Sequence, residues 1–438
     1  MFIARRTTGT CRTLAALVPL FFSLLVSLTP SFASEQLKPR NWIKLAVEKL
    51  CGVEPIDGLL AQEQLQGAWL LNETEGKRHG QVFRIEQRFS LPVGDELRVV
   101  RFQPGGRLRR FSVEVHRQAN GQLQPYLQGM ADGACTLRSG RRIVRSSSGP
   151  LVKLEQLDGD LTTVRWAETL QAPWPSGRDL GGPRVALIDS GLAYDLAAFR
   201  NRLARDKDGK PLGFDYWDMD GWPYDGDVSR GAFLPIRHGT AVASVLVRET
   251  PTAALIPLRY PRPDMKRMSD AIKLASGAGA RILAMPLGSR KPEQWSAFEQ
   301  ALKAHPSILA IVSAGNDGED IDQRKIWPAT LTLENMIVVT SADAFGRLAE
   351  GSNWGKRSVD IMLPAENVAV LDFRGAKGKA SGSSYAVPRL AALAARLLAK
   401  EPRLTAKELK AKIFARATPS PYEKKVVAVG WIPDPTRD

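Results

Sequence analysis

The chain has 438 residues, 44% of them hydrophobic, and a formal net charge of +15 at pH 7. That length holds two or three domains, with apolar residues enough for a real core. Only three residues are cysteine and none follows Cys135, which excludes a thiol nucleophile or a thiolate metal site from the later part of the chain.

Arg5, Arg6 and Arg12 precede an apolar run from Leu14 to Leu28, and Pro30-Ser31-Phe32-Ala33 follows it. A basic start, a short apolar core and small residues two apart predict a cleavable secretory signal over residues 1–33, cut after Ala33. The run is short for a membrane span and Pro19 interrupts it, so no stable span is expected after cleavage. Arg5-Arg6 also permits the twin-arginine route. Cleavage removes three arginines and no acids, taking +15 to +12. Such a charge favours acidic partners in general. Arginines concentrate in RLRRF (Arg107 to Phe111) and SGRRIVR (Ser139 to Arg145), but without interleaved aromatics or a recognisable nucleic-acid fold they read as a solvated basic face. No nucleic-acid partner is expected. Cys11 leaves with the signal, and the remaining pair, Cys51 and Cys135, can be joined in an exported protein; the sequence leaves that open.

Residues 34–178 follow as one unit. A short helical pattern lies near Trp42 to Leu50. QVFRIEQRFSL, DELRVVRFQ, RRFSVEVHRQ and LTTVRWAETL then alternate apolar and polar residues between turn signals such as Pro104-Gly105-Gly106 and Asn120-Gly121. This predicts antiparallel strands with one buried face. Ala172 to Pro183, rich in Pro and Gly, reads as a flexible boundary. Beyond it come nearly continuous apolar runs, Arg184–Ile188, Ala254–Leu258, Ile282–Met285, Ile308–Val312, Met336–Val339 and Val359–Leu363. Helical patterns such as Ser269–Ala278 and Pro292–Ala304 lie between several of them. Apolar strands alternating with helices predict a parallel sheet covered on both faces, with its sites beyond the carboxyl ends of the strands.

Four segments sit at such positions. PRVALIDSG ends a run at Asp189; RHGTAVASVLV puts His238 just before a helix; ILAIVSAGNDG ends a run at Asn316; and ASGSSYAVPRLAAL, Ala380 to Leu393, puts serines ahead of a helix. Each alone has a plainer reading as a turn aspartate, a structural histidine, an Asn-Asp-Gly turn or a linker. Together they supply what acyl transfer needs. A serine hydroxyl needs a base, the imidazole needs an acid to fix its tautomer, and the tetrahedral oxyanion needs a donor such as an asparagine amide.

IDSGL, RHGTAVAS, SAGNDG and GSSYAVP, in this order, resemble the signature segments of the subtilisin-like serine peptidases, and the resemblance covers about residues 180 to 418. It implies Asp189 as the acid, His238 as the base, Asn316 as the oxyanion donor and Ser384 as the nucleophile. Ser384 is preferred to Ser381 and Ser383 because the family serine lies four residues before the motif proline, here Pro388. That position is a helix N-terminus, where the dipole and free N–H groups favour a developing oxyanion. Pro388 is expected within the first helical turn, where N–H groups have no partner.

The resemblance further implies Leu287, Gly288, Ala314 and Gly315 as substrate-binding residues, the first two on an edge that pairs with the substrate backbone. Pro286 replaces a family serine on that edge, Ala241 a second histidine, and Ser383 and Tyr385 a Thr and a Met. The fold class expected is α/β: a parallel-sheet subtilisin-like peptidase domain over 179–420, preceded by a smaller, mostly antiparallel β domain, with 421–438 as a C-terminal tail. The function expected is that of an exported, periplasmic or secreted, monomeric serine endopeptidase acting on proteins or peptides with no required cofactor. Two other readings are a peptide-binding pseudopeptidase and a basic envelope-binding module. Residues 206–227 hold seven aspartates, which suits calcium but shows no EF-hand spacing, and suits equally a solvated loop that positions His238. No HExxH occurs among the four histidines. The 34–178 unit fits either a removed pro-region or a permanent accessory domain.

Overall fold

The computed structural model describes residues 38–55, 57–92, 94–421 and 426–437; the expected signal segment lies outside them. Helix α1 (Pro39–Ala46) starts on a proline and runs into a wider turn over Val47–Cys51; α2 (Gly58–Gln64) follows, capped by the Asp57 side chain. Eight strands then form a meander, each pairing antiparallel with the next: β1 (Trp69–Arg78), β2 (Gln81–Ser90), β3 (Glu96–Phe102), β4 (Arg110–Ala119), β5 (Gln122–Asp132), β6 (Leu137–Arg145), β7 (Val152–Asp158) and β8 (Val164–Gln171). Alternation explains how it holds together. Phe111, Val113 and Val115 of β4 point to one face and join Phe89, Leu97 and Leu127 under Trp42 and Ile43 of α1. Burying a side chain such as Ile43 contributes roughly 1.5–3 kcal/mol. The helix comes so close that a Cβ on Gly129 would stand 2.5 Å from Ile43 Cγ2. A disulfide, Cys51–Cys135, ties the end of α1's extension to the β5–β6 turn.

The opposite face carries charge. Arg98 meets Glu86 at 2.6 Å and Glu114 at 3.0 Å. The hydrogen bond from Arg98 holds Glu86 below the usual carboxylate range. The expected solvated basic face is therefore only partly right. Arg107, Arg109 and Arg110 are exposed, whereas Arg141 and Arg142 are half-buried and bonded to Gln156 and Glu155. Pairing across strands, which sequence spacing does not display, makes the difference.

From β9 onward the architecture changes. Strands β9 (Arg184–Asp189), β10 (Phe214–Asp215), β11 (Ala254–Arg259), β12 (Ile282–Met285), β13 (Leu309–Ser313), β14 (Met336–Ala342) and β15 (Ile361–Pro364) form a parallel sheet in the order β10-β11-β9-β12-β13-β14-β15. A short antiparallel pair, β16 (Val368–Leu371) and β17 (Lys377–Ala380), follows. Helices α3 (Gly239–Glu249) and α6 (Ser383–Lys400) cover one face, α4 (Met268–Gly277) and α5 (Ser296–Ala304) the other, and α7 (Ala406–Phe414) packs against α6. Val185 and Leu187 of β9 enter the first core, Ala186 and Ile188 the second. Burial on both faces is why these strands read as unbroken apolar runs. Of the expected C-terminal tail, 421–438, the described residues 426–432 belong to this domain. Strand β18 (Gly430–Trp431) pairs parallel with β15 as the sheet's last strand, and Trp431 and Ile432 enter the cores. The apolar run Val426 to Ile432 lies in this segment, but the pairing covers only two of its residues. Among the described residues no helix is long and apolar enough to cross a membrane.

Candidate active site

Strand β9 ends at Asp189, 1% exposed, whose backbone leads into Ser190 and Gly191. Helix α3 begins one residue after His238, and the reason for glycine at its first position is steric: a Cβ on Gly239 would lie 2.0 Å from the Gly191 carbonyl oxygen. This close approach brings the two segments together. Both carboxylate oxygens of Asp189 face His238 Nδ1, at 2.8 and 2.9 Å. Burial opposes protonation of His238, but the charge and hydrogen bond of Asp189, with Asp225 beyond it, outweigh that and raise the imidazole to about 9.

Ser384 stands in the first turn of α6, after Gly382 at φ +125°. It makes no side-chain hydrogen bond with the described residues, yet it shares with Asp189 and His238 one cleft of about 520 Å³. In unliganded sites the nucleophile–base bond is often long and tightens only with substrate. The other serines have separate tasks. Ser381 Oγ accepts the Asn367 N–H at 2.9 Å. Ser383 is fully buried, and its hydroxyl bonds Ser313 Oγ at 2.7 Å and Asn316 Oδ1 at 2.9 Å. Pro388 lies more than a full turn into α6, beyond the partnerless first positions, so its placement differs from expectation. Its missing N–H removes the bond that the Ser384 carbonyl would otherwise accept.

Asn316 follows β13. Its Oδ1 also accepts the Ser383 backbone N–H at 2.9 Å. Because that group can only donate, the amide oxygen is assigned to this side and the NH2 group to the other. No described residue takes a hydrogen bond from that NH2. Leu287 and Gly288 line the cleft beside Pro286 and Trp295, whereas Ala314, Gly315 and Asn316 stand at the end of β13 and do not line it. Beyond them Ser289 and Trp327 exchange N–H···O bonds at 2.8 and 2.9 Å.

Two supports escaped the motif reading. Ser190 Oγ donates to Asp225 at 2.6 Å and accepts the backbone N–H groups of His238 and Gly239 at 3.1 and 2.9 Å. Asp225 accepts those of His238 and Thr240 at 3.3 and 3.0 Å. The signal for Asp225 was its place in the aspartate-rich stretch. Other aspartates there serve the fold. Asp215 meets Arg259 at 2.7 Å, both buried, and burial pushes its carboxyl up to about 6 against the pull of that arginine. Asp227 accepts from Tyr260 and from Arg262. Among the described residues no three His, Cys, Asp or Glu side chains are grouped to hold a metal ion.

A parallel α/β sheet with an aspartate, a histidine and a serine converging beyond its strand ends defines a class of hydrolase scaffold. Within that class, residues 181–431 match the family model of the subtilase family, and the chain belongs to that family of serine peptidases. It is 28% identical over 247 residues to the thermophilic serine proteinase of Bacillus sp. (strain AK1), covering 52% of this chain and 55% of that protein. It is 23% identical over 306 residues to the major intracellular serine protease of Bacillus subtilis (strain 168), covering 65% of this chain and 91% of that protein. The chain thus spans little more than half the length of the first of these relatives. Among solved structures, a cold-adapted subtilisin-like serine proteinase aligns at 20% identity and a TM-score of 0.48, over 58% of this chain and 89% of that one.

Proposed function

We propose that the protein is an exported serine endopeptidase that hydrolyses peptide bonds through a Ser384 acyl-enzyme. One observation carries this: Asp189 holds Nδ1 of His238 with both oxygens in the cleft that Ser384 lines. With Nδ1–H donated to a carboxylate, the neutral ring carries its lone pair on Nε2. Nε2 takes the Ser384 proton as the oxygen attacks the scissile carbonyl, then returns it to the leaving amine; water repeats the sequence to release the acid. The Asn316 NH2, turned away from Ser383 by its bonded oxygen, donates to the tetrahedral oxyanion. Leu287 and Gly288 of the cleft wall pair with the substrate backbone, whereas the backbone groups of Ala314 and Gly315 are already bonded within the chain and do not. These steps use groups of the chain alone. Export rests on the signal pattern of residues 1–33.

A fluorophosphonate probe on purified protein tests the reading. Covalent labelling that Ser384→Ala abolishes and Ser383→Ala retains is the expected result. No labelling of wild-type protein overturns it in favour of a binding protein without turnover.

A further inference from the structure

None of the cleft comes from the antiparallel sheet: its lining positions all fall between Asp189 and Ser384. The sheet meets the rest of the chain elsewhere, on the segment leading into His238. Asp227 and Ile236 exchange N–H···O bonds at 2.9 and 2.8 Å, which closes the residues between them into a loop. At its tip Phe233, 1% exposed, drops onto Ile143 of β6 and Leu154 of β7, flanked by Val152 and Leu170. The His116 ring meets Phe233 edge-on at 6.4 Å, and the Arg141 guanidinium donates to the Phe233 carbonyl. At the base of the loop, Arg237 reaches Glu168 at 3.3 Å and the Thr169 carbonyl at 3.4 Å, both on β8. Arg237 is covalently next to His238. The loop is therefore held by the sheet at its tip and at its root.

The boundary segment, expected to be flexible, is tied down as well. Trp174 stacks on Tyr194 with ring centroids 4.1 Å apart, and Arg205 donates to the Pro175 carbonyl at 2.9 Å. Asp179 accepts the Arg205 backbone N–H at 3.0 Å. Proteolytic nicking concentrates where backbone is exposed and unbonded. An inhibitory pro-region has to occupy the cleft and then leave. This sheet contributes nothing to the cleft, and its departure would strand the Phe233 ring in water and strip Arg237 of its β8 partners.

We infer that the antiparallel sheet is a retained part of the active enzyme, and that Phe233 and Arg237 are positioning residues through which it fixes His238. The inference rests on the peptidase reading of the site. A displacement of about 1 Å in such a group costs on the order of a hundredfold in rate. The role should therefore appear in turnover and not in substrate binding.

The experiment uses the full chain, labelled with the fluorophosphonate probe and weighed intact, with kinetics normalised to labelled sites. The labelled wild-type protein is expected to contain residues 38–178. Phe233→Ala should lower kcat by about 10–100-fold with KM nearly unchanged, and Phe233→Leu should restore most of it. A fully active labelled species that begins beyond residue 178 overturns the inference, as does wild-type kcat in Phe233→Ala. If Phe233→Ala fails to fold, Arg141→Met takes its place, removing the bond to the Phe233 carbonyl; lowered kcat supports the inference and unchanged kcat overturns it. Absence of any Ser384 labelling in wild type is a different result. It ends the peptidase reading, and the inference falls with it.

Discussion

The two sheets of this molecule solve the problem of burying a backbone in opposite ways. The parallel sheet is enclosed between helices, and every residue of β11, β12, β13 and β14 is buried. The meander has one apolar face under α1, while its other face is laced by Arg98, Glu86, Glu114 and their neighbours. Enclosure on both faces leaves a parallel sheet only its strand ends for chemistry, and Asp189 and Asn316 stand there. A one-sided antiparallel sheet keeps a face available for docking, and Phe233 has used the end of that face nearest β6 and β7. One region thus carries reacting groups, and the other acts on them from outside the cleft.

If that division holds, the largest effects come from the strand and helix ends of the parallel domain. Ser384→Ala is expected to lower kcat by about 10⁶ while far-ultraviolet circular dichroism stays unchanged, since Ser384 makes no side-chain hydrogen bond within the described residues. A loss below about 10³ would mean that another group delivers the attack.

Next in size is Asp189→Asn, with an expected fall of about 10⁴ in kcat. The pH dependence goes further. Catalysis needs the neutral imidazole, and the Asp189 carboxylate helps to raise His238 to about 9. Activity of the wild-type enzyme should therefore climb through the alkaline range as the ring loses its proton. Asparagine removes the charge that favours the imidazolium, so the half-maximum of kcat/KM should move to lower pH even as the plateau drops. A half-maximum that stays put would show that Asp189 orients the ring without setting its charge.

Much of this was legible in the sequence because each reacting residue sits where an apolar run stops. The run before Asp189 and the run before Asn316 announce strand ends, and the Leu390, Leu393 and Leu397 spacing announces α6. Other features were hidden by the physics that forms them. Strand β18 is two residues long and pairs only because β15 offers an open edge. The arginines of β6 read as solvated because their partners lie on neighbouring strands. Phe233 lies in a short apolar stretch, Ala232 to Ile236, whose partners the spacing does not show; the Arg141 that bonds its carbonyl is 92 positions away in the chain. Local periodicity carries no information about a contact of that range.

A smaller effect tests the oxyanion donor. Asn316→Ala should lower kcat by about 10²–10³ with little change in KM, because Ser383 holds only the amide oxygen and leaves the NH2 group for the transition state. Equal loss in kcat and in the affinity for a substrate-like inhibitor would place Asn316 in ground-state binding instead.

The smallest effect on turnover is expected in the meander's own staple. Cys51–Cys135 joins residues 84 apart in sequence, and closing a loop of that length in the unfolded chain stabilises the folded one by about 2–4 kcal/mol. The bond lies at the β5–β6 turn, and Ile143, which Phe233 meets, stands near the other end of β6. The double variant Cys51→Ala/Cys135→Ala should therefore unfold at lower urea while its folded form turns over substrate at close to the wild-type rate. Urea titrations followed by circular dichroism give the first quantity, and kcat per probe-labelled site gives the second. A fall in kcat of tenfold or more with the meander still folded would show that strain at one end of the sheet reaches His238 through the other, and the separation between staple and anchor would have to be abandoned.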